Sequence, residues 1–162
     1  AVLFSGSIRD NVFFGESAVP DTQEGLDRAI ALSQAGEFVD KLPEGTEHRI
    51  AQLGRNVSGG QKQRLSIARA LARDPEILIF DDSFSALDYR TDAKLRAGLE
   101  EQLAGATKII VAQRISTIRH ADEIIVLDRG EAVGMGTHEE LMRSCPVYRE
   151  IAMSQLSAAE LA

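Results

Sequence analysis

The chain has 162 residues, 44% of them hydrophobic, and a formal net charge of −7. That length suits one domain or part of a larger one, with apolar content to fill a core. The acidic balance argues against a nucleic-acid binder, whose affinity comes from clustered Lys and Arg.

Residues 1–20 mix apolar and turn residues, with a helical turn expected near Ile8 to Phe13. Asp21 or Thr22 then caps a helix that runs to about Ala35, with Glu24 placed to reach back. Glu37 to Lys41 predict a short helical turn, stopped by Pro43, and Gly45 to Asn56 read as loop. Ser58 caps a helix to about Arg73 with an apolar stripe of Leu65, Ala68, Leu71 and Ala72. Its few basic residues read as a solvated face. Asp74-Pro75 ends it.

The second half changes character. Ile77 to Phe80 and Lys108 to Ala112 read as fully buried strands, β-branched and unalternating. Tyr89 to Ala104 is helical, Thr117 to His120 a helical turn, and Glu123 to Leu127 a third strand. Asp128 to Glu131 turns into a short strand, Ala132 to Met135. Thr137 caps a helix, with Glu140 completing a capping box, and Val147 to Leu161 is helical. Strands alternating with helices imply an α/β fold on a parallel sheet. Residues 1–73 read as a mainly helical subdomain set before it, and 74–162 as the sheet-bearing part.

Two runs carry the chemistry. Asn56-Val57-Ser58-Gly59-Gly60-Gln61 is a Gly-rich turn opening a helix, and a helix start with bare N–H groups attracts phosphate. Ile77-Leu78-Ile79-Phe80-Asp81-Asp82 is an apolar strand ending in two carboxylates, the arrangement that holds a hydrated Mg²⁺. Together they point to ATP. No G-x-x-x-x-G-K-[ST] loop occurs in the sequence, so the usual phosphate cradle is missing from it. The single cysteine, Cys145, permits no internal disulfide, fits a reducing compartment and is assigned no chemistry. His48, His120 and His138 lack metal-ligand spacing and read as surface residues, and Met135, Met142 and Met153 read as packing. No apolar run is long enough to span a bilayer, and no signal peptide opens the chain.

These motifs resemble the nucleotide-binding domain of ATP-binding cassette (ABC) transporters of the exporter type. The signature is Val57-Ser58-Gly59-Gly60-Gln61, the Walker B strand Ile77 to Asp81, and the D-loop Ser85-Ala86-Leu87-Asp88. Leu3-Phe4-Ser5-Gly6-Ser7-Ile8-Arg9-Asp10-Asn11 resembles the segment after the Q-loop. Ala121 to Leu127 and Gly136 to Leu141 match the family's C-terminal half. The resemblance implies an incomplete P-loop NTPase (RecA-like) parallel-sheet core with an ABC α-helical subdomain. It implies that the chain is cut just past the Q-loop, with Walker A, the antiparallel β subdomain and the transmembrane domain upstream. An exposed apolar sheet edge is then expected.

The resemblance also assigns roles. Ser58, Gly59, Gly60 and Gln61 would close on ATP held by a second nucleotide-binding domain, and Asp88 would lie at that seam. Asp81 would reach Mg²⁺ through water. Asp82 stands where the family has the Glu general base, and its carboxylate is drawn back by about 1.5 Å; an error of that size costs on the order of a hundredfold in rate. Gln113 stands where the family has a His, and it can neither carry charge nor pass a proton. Gln52 stands where exporters show a Glu. The sharper reading is the degenerate half of a heterodimeric exporter, working with transmembrane domains at the cytoplasmic face of the cell membrane. The alternatives are a competent homodimeric exporter domain and a non-transport ABC ATPase; the isolated piece is expected to be inactive.

Overall fold

The computed structural model describes residues 1–15 and 20–155. It forms two compact units, Ala1–Ile109 and Ile110–Ala162.

In the first unit, β1 (Gly6–Ser7) runs straight into α1 (Ile8–Val12). The Ser7 hydroxyl accepts the Asp10 N–H at 3.0 Å, and the Asp10 carboxylate accepts the Ser7 N–H at 2.8 Å. This reciprocal cap holds a helix too short to be stable alone. β1 pairs antiparallel with β2 (Arg49–Ile50), with Gly6 opposite Ile50. This strand lies inside the stretch 45–56 expected to be loop, since a two-residue strand shows no periodicity.

Thr22, and not Asp21, caps α2 (Gln23–Leu32), accepting the Gly25 N–H at 3.0 Å. Glu24 therefore sits one residue short of the position that reaches back. The helix stops before the predicted Ala35, with Gln34 at φ 59°. α3 (Gly36–Val39) follows, then α4 (Gly59–Leu71). The stripe Leu65, Ala68, Leu71 and Ala72 is buried as predicted, and Ile67 joins it. α4 packs on α1 and α2, and α2, with Leu26, Ala29, Ile30 and Leu32 buried, packs on α5 (Tyr89–Gln102), where Leu32 lies beside Gly98. Each fully buried Leu contributes about 1.5–3 kcal/mol.

Two basic residues of α4, Arg64 and Arg69, and Arg73 just past its end correct the expectation of a solvated face. Arg69 donates to the Asn11 carbonyl at 2.7 Å, the Asn11 side-chain oxygen at 3.0 Å and the Val2 carbonyl at 3.0 Å. Arg73 donates to the carbonyls of Phe13, Phe14 and Gly15. Arg64 donates to the Gln34 carbonyl at 3.0 Å and lies over the Phe38 ring. Charge in the sequence marks these residues as polar; their partners come from segments far away in the chain.

β3 (Ile77–Asp81) pairs with β4 (Thr107–Val111). Neither strand is buried throughout, against the expectation from their apolar runs. Leu78 and Phe80 are 3% and 2% exposed, whereas Ile77 and Ile79 are 60% and 68% exposed. Ile109 and Val111 of β4 are also exposed. Apolar residues at both phases of a strand suit a sheet covered on both faces, and these residues cover one. The exposed apolar residues of the sheet, Ile77, Ile79, Ile109 and Val111, make up a face of it, whereas the resemblance implies an exposed edge.

The second unit holds α6 (Ile115–Ile118), β5 (Ile124–Asp128), β6 (Glu131–Gly136), α7 (His138–Ser144) and α8 (Pro146–Gln155). β5 and β6 form an antiparallel hairpin, with Ile124 opposite Gly136, so the strands of the chain are not all parallel. Its two-residue turn, Arg129-Gly130, has φ of 51° and 84°, which matches the twist of a hairpin. Thr137 and Glu140 form the predicted capping box. The predicted helix end, 156–161, lies outside the described residues.

The core here is Ile115, Ile124, Val126, Leu141, Cys145, Tyr148 and Ala152. A Cβ on Gly134 would lie 2.9 Å from Cys145 Sγ, so only glycine lets β6 sit this close to the α7 end. The Cys145 thiol is a core group. His138 is not a plain surface residue, because its Nδ1 lies 2.7 Å from the Tyr148 hydroxyl and it is partly buried. Met142 packs against the core, but Met135 and Met153 are each 60% exposed and do not pack as predicted. No helix among the described residues is long and apolar enough to cross a membrane.

Candidate nucleotide-facing site

Ser58 and Gln61 fix the start of α4 between them. The Ser58 hydroxyl accepts the Gln61 N–H at 3.3 Å, and the Gln61 side-chain oxygen accepts the Ser58 N–H at 2.8 Å. The Lys62 N–H goes to the Ser58 carbonyl at 2.9 Å. The capping box leaves the N–H groups of Gly59 and Gly60 as the outward donors of the helix. Ser58 and Gly59 are exposed, and a Cβ on Gly59 would meet nothing within 4 Å. The result is a bare, positively poised helix tip of the kind that receives an anion.

The end of β3 delivers Asp81 and Asp82 to an exposed turn. Phe84 and Leu87 anchor that turn from beneath, and Phe84 lies against Phe80 with ring centroids 5.1 Å apart. Asp82 adopts φ 48°, a left-handed backbone that Asp tolerates better than most residues. The Asp82 carbonyl receives the Ser85 hydroxyl at 2.9 Å and the Gln63 side-chain N–H at 3.0 Å. Asp88 closes the segment as the cap of α5, accepting the Thr91 N–H at 3.0 Å and the Thr91 hydroxyl at 2.7 Å. Those two bonds, the backbone one foremost, hold its carboxyl below its usual value.

Gln113 lies in the second unit, just past β4, with an exposed side chain. Its backbone is held by a residue that sequence reasoning missed. Gln155 donates to the Gln113 carbonyl at 2.8 Å and accepts the Ile115 N–H at 2.9 Å. Gln63 was missed in the same way. Both are single glutamines at the edge of a helix, and no local pattern marks an amide that bonds to a distant loop. Gln52 opens the 3₁₀ turn Gln52–Gly54 and is exposed, beside Leu53 at φ 58°.

Ser58, Asp81, Asp82 and Asp88 thus belong to one unit and Gln113 to the other. Among the described residues no group of three or more His, Cys, Asp or Glu side chains could hold a metal ion. The carboxylates at the strand end fit a smaller role, in which Asp81 would reach, through water, a Mg²⁺ carried on a nucleotide's phosphates. That ion would offset the phosphate charge.

The family model for ABC transporters matches residues 3–85, which include the Ser58 tip and the Asp81-Asp82 turn. The chain belongs to the ABC transporter family. An uncharacterized ABC transporter ATP-binding protein of Mycobacterium tuberculosis is 48% identical over 160 residues, covering 97% of this chain and 27% of the relative. An ATP-dependent lipid A-core flippase of Xanthomonas oryzae pv. oryzae is 42% identical over 150 residues, covering 93% of this chain and 25% of that protein. The structure of a bacterial Atm1-family ABC exporter with ATP bound matches with a TM-score of 0.90 and 34% identity, over 97% of this chain and 27% of the other. The ABC chain described here therefore spans only about a quarter of the length of these relatives, and it shares the α/β architecture of an exporter's P-loop NTPase portion.

Proposed function

We propose that this chain is part of the nucleotide-binding domain of an ABC exporter and that its two halves of chemistry serve different ATP molecules. The Ser58 tip completes the site of a second nucleotide-binding domain, in a heterodimer or a homodimer. The Asp81-Asp82 turn and Gln113 belong to the chain's own site, which binds Mg·ATP and hydrolyses it slowly or not at all. The observation that carries this reading is the contrast between the two. The Ser58-Gly59-Gly60-Gln61 tip is complete, capped and open, whereas the base position holds the shorter Asp82 and the switch position holds the uncharged Gln113.

The division by role places the helical subdomain at 1–73 and the C-terminal part of the RecA-like core at 74–162. Transmembrane domains would act with both at the cytoplasmic face of the membrane, and they would select the cargo. The 162 residues alone, without a G-x-x-x-x-G-K-[ST] loop, have little with which to grip the β- and γ-phosphates. No measurable ATPase is expected from them, and calorimetry should find at best weak ATP binding.

The test is made in the full-length, assembled transporter. Ser58→Ala or Gly59→Ala should lower ATP turnover strongly, while Asp82→Ala should change it little. A large loss from Asp82→Ala would support the second reading, a competent site in which the exposed Asp82 carboxylate serves as base. Unchanged turnover in Ser58→Ala would refute the role of the tip.

A further inference from the structure

Strand β2 gives one edge to β1 and the other to a side chain. Ile50 lies opposite Gly6, and the Ile8 N–H goes to the His48 carbonyl at 3.1 Å, so His48 and Ile50 face β1. The groups of Arg49 and Ala51 point the other way. Asn56 takes both of them. Its amide N–H donates to the Arg49 carbonyl at 2.9 Å, and its side-chain oxygen accepts the Ala51 N–H at 2.9 Å. One amide thus stands in for a further strand, two residues before Ser58. In the turn that it closes, Leu53 and Gly54 are both left-handed, at φ 58° and 63°. Such backbone persists only where its surroundings hold it. The turn also rests on α4, since a Cβ on Gly54 would come within 2.9 Å of Lys62 Cε. The box between Ser58 and Gln61 ties the tip to its own helix. Asn56 ties the approach to that tip to the β1–β2 ribbon.

We propose that Asn56 is a positioning residue for the Ser58 tip. It sets where the Ser58 hydroxyl and the N–H groups of Gly59 and Gly60 stand against a nucleotide held by the second domain. This rests on the reading of the tip given above. Asn56 acts through the backbone of Val57 and Ser58, and its own amide is already used on β2. Two hydrogen bonds on one planar group fix both the place and the orientation of the residue that carries it, and an apolar side chain of similar size fixes neither. A displacement of about 1 Å at a reacting group changes a rate by on the order of a hundredfold. Asn56 is exposed, so water takes over the Arg49 and Ala51 groups when the amide is lost, and the fold stays intact. A rate effect without a matching stability effect is the signature of this role.

The experiment compares Asn56→Leu, Asn56→Asp, Ser58→Ala and Thr22→Ala in the full-length transporter, measuring kcat and KM for ATP and the melting temperature. Asn56→Leu keeps the volume and loses both bonds. Asn56→Asp keeps the acceptor for the Ala51 N–H and sets an oxygen against the Arg49 carbonyl. Thr22→Ala removes the cap of α2, in the same unit, and leaves the loop alone. We expect Asn56→Leu to lower kcat by roughly tenfold with KM within about twofold, and Asn56→Asp to fall between it and the parent. Thr22→Ala should keep the parent kcat at a melting temperature no higher than that of Asn56→Leu. A kcat within about twofold of the parent in a folded Asn56→Leu protein, beside a large loss in Ser58→Ala, would overturn the proposal and leave the tip its role. An equal loss of kcat in Thr22→Ala would reduce the effect to stability and overturn it too. If Asn56→Leu does not fold, an unchanged kcat in Asn56→Asp overturns it. Unchanged turnover in Ser58→Ala removes the reading of the tip, and the proposal with it.

Discussion

Arg69 holds Asn11 by both its carbonyl, at 2.7 Å, and its side-chain oxygen, at 3.0 Å, across 58 residues of sequence. Asn11 is 1% exposed and donates its own amide N–H groups to the carbonyls of Phe4 and Ser7. Phe4 and Phe14 stack with ring centroids 3.9 Å apart, and Arg69 lies over both rings. One guanidinium therefore fastens the opening segment to the signature helix. Burial lowers the pKa of Arg69, with the nearby Arg73 adding to the effect.

Arg69→Met should destabilise the protein by about 1–3 kcal/mol, because it removes the donor to the Asn11 carbonyl, while the Asn11 side-chain oxygen keeps the Phe4 N–H at 2.9 Å. Arg69→Lys should recover only part of this, since an ammonium cannot span the same fork of acceptors. Urea denaturation of the two variants beside the parent reads the difference. A loss under about 1 kcal/mol in Arg69→Met, on the order of experimental scatter, would count against the clamp.

His138 gives the second unit a pH dependence. Its imidazole is held below the ordinary value of 6.5 by burial first, then by Arg119, with Glu139 opposing and His120 adding a little. The ring's Nδ1 lies 2.7 Å from the Tyr148 hydroxyl. The unfolded chain thus binds a proton more readily than the folded one. The stability this contributes is complete above the unfolded value of 6.5 and is lost as the pH falls through the folded value. Denaturant midpoints measured from about pH 8 down to about pH 5 should fall in the parent and fall less in His138→Gln. Equal pH slopes in the two proteins would contradict the assignment.

Gln155 holds the Gln113 carbonyl and the Ile115 N–H, and Gln155→Leu should release both. The expected cost is about 1–2 kcal/mol. Hydrogen exchange at the Ile115 amide should rise sharply, while that at Glu140, capped by Thr137, stays as it was. Unaltered exchange at Ile115 would show that something else protects it.

Restoring the family's residues tests where the slow step lies. Asp82→Glu together with Gln113→His, in the full-length transporter, should raise ATP hydrolysis if reach and charge are what limit this chain's own site. Either change alone should give less than the pair. Hydrolysis that does not rise in the double variant would locate the fault elsewhere.

Local chemistry made several features readable in the sequence. The Ser58 and Thr137 capping boxes follow from residues three apart, and the stripe of α4 from helical spacing. The Gly-rich tip and the carboxylate-ended strand follow from residue types that few other functions require in that order. Tertiary structure decided the rest. Ile77, Ile79, Ile109 and Val111 are apolar, yet they are exposed because no part of the described chain covers that face of the sheet. Arg69, Gln63 and Gln155 look like surface polar residues, and become fasteners because the fold brings backbone carbonyls from distant loops within 3.0 Å of them. A sequence specifies which groups can donate and accept; only the path of the chain determines which of them meet.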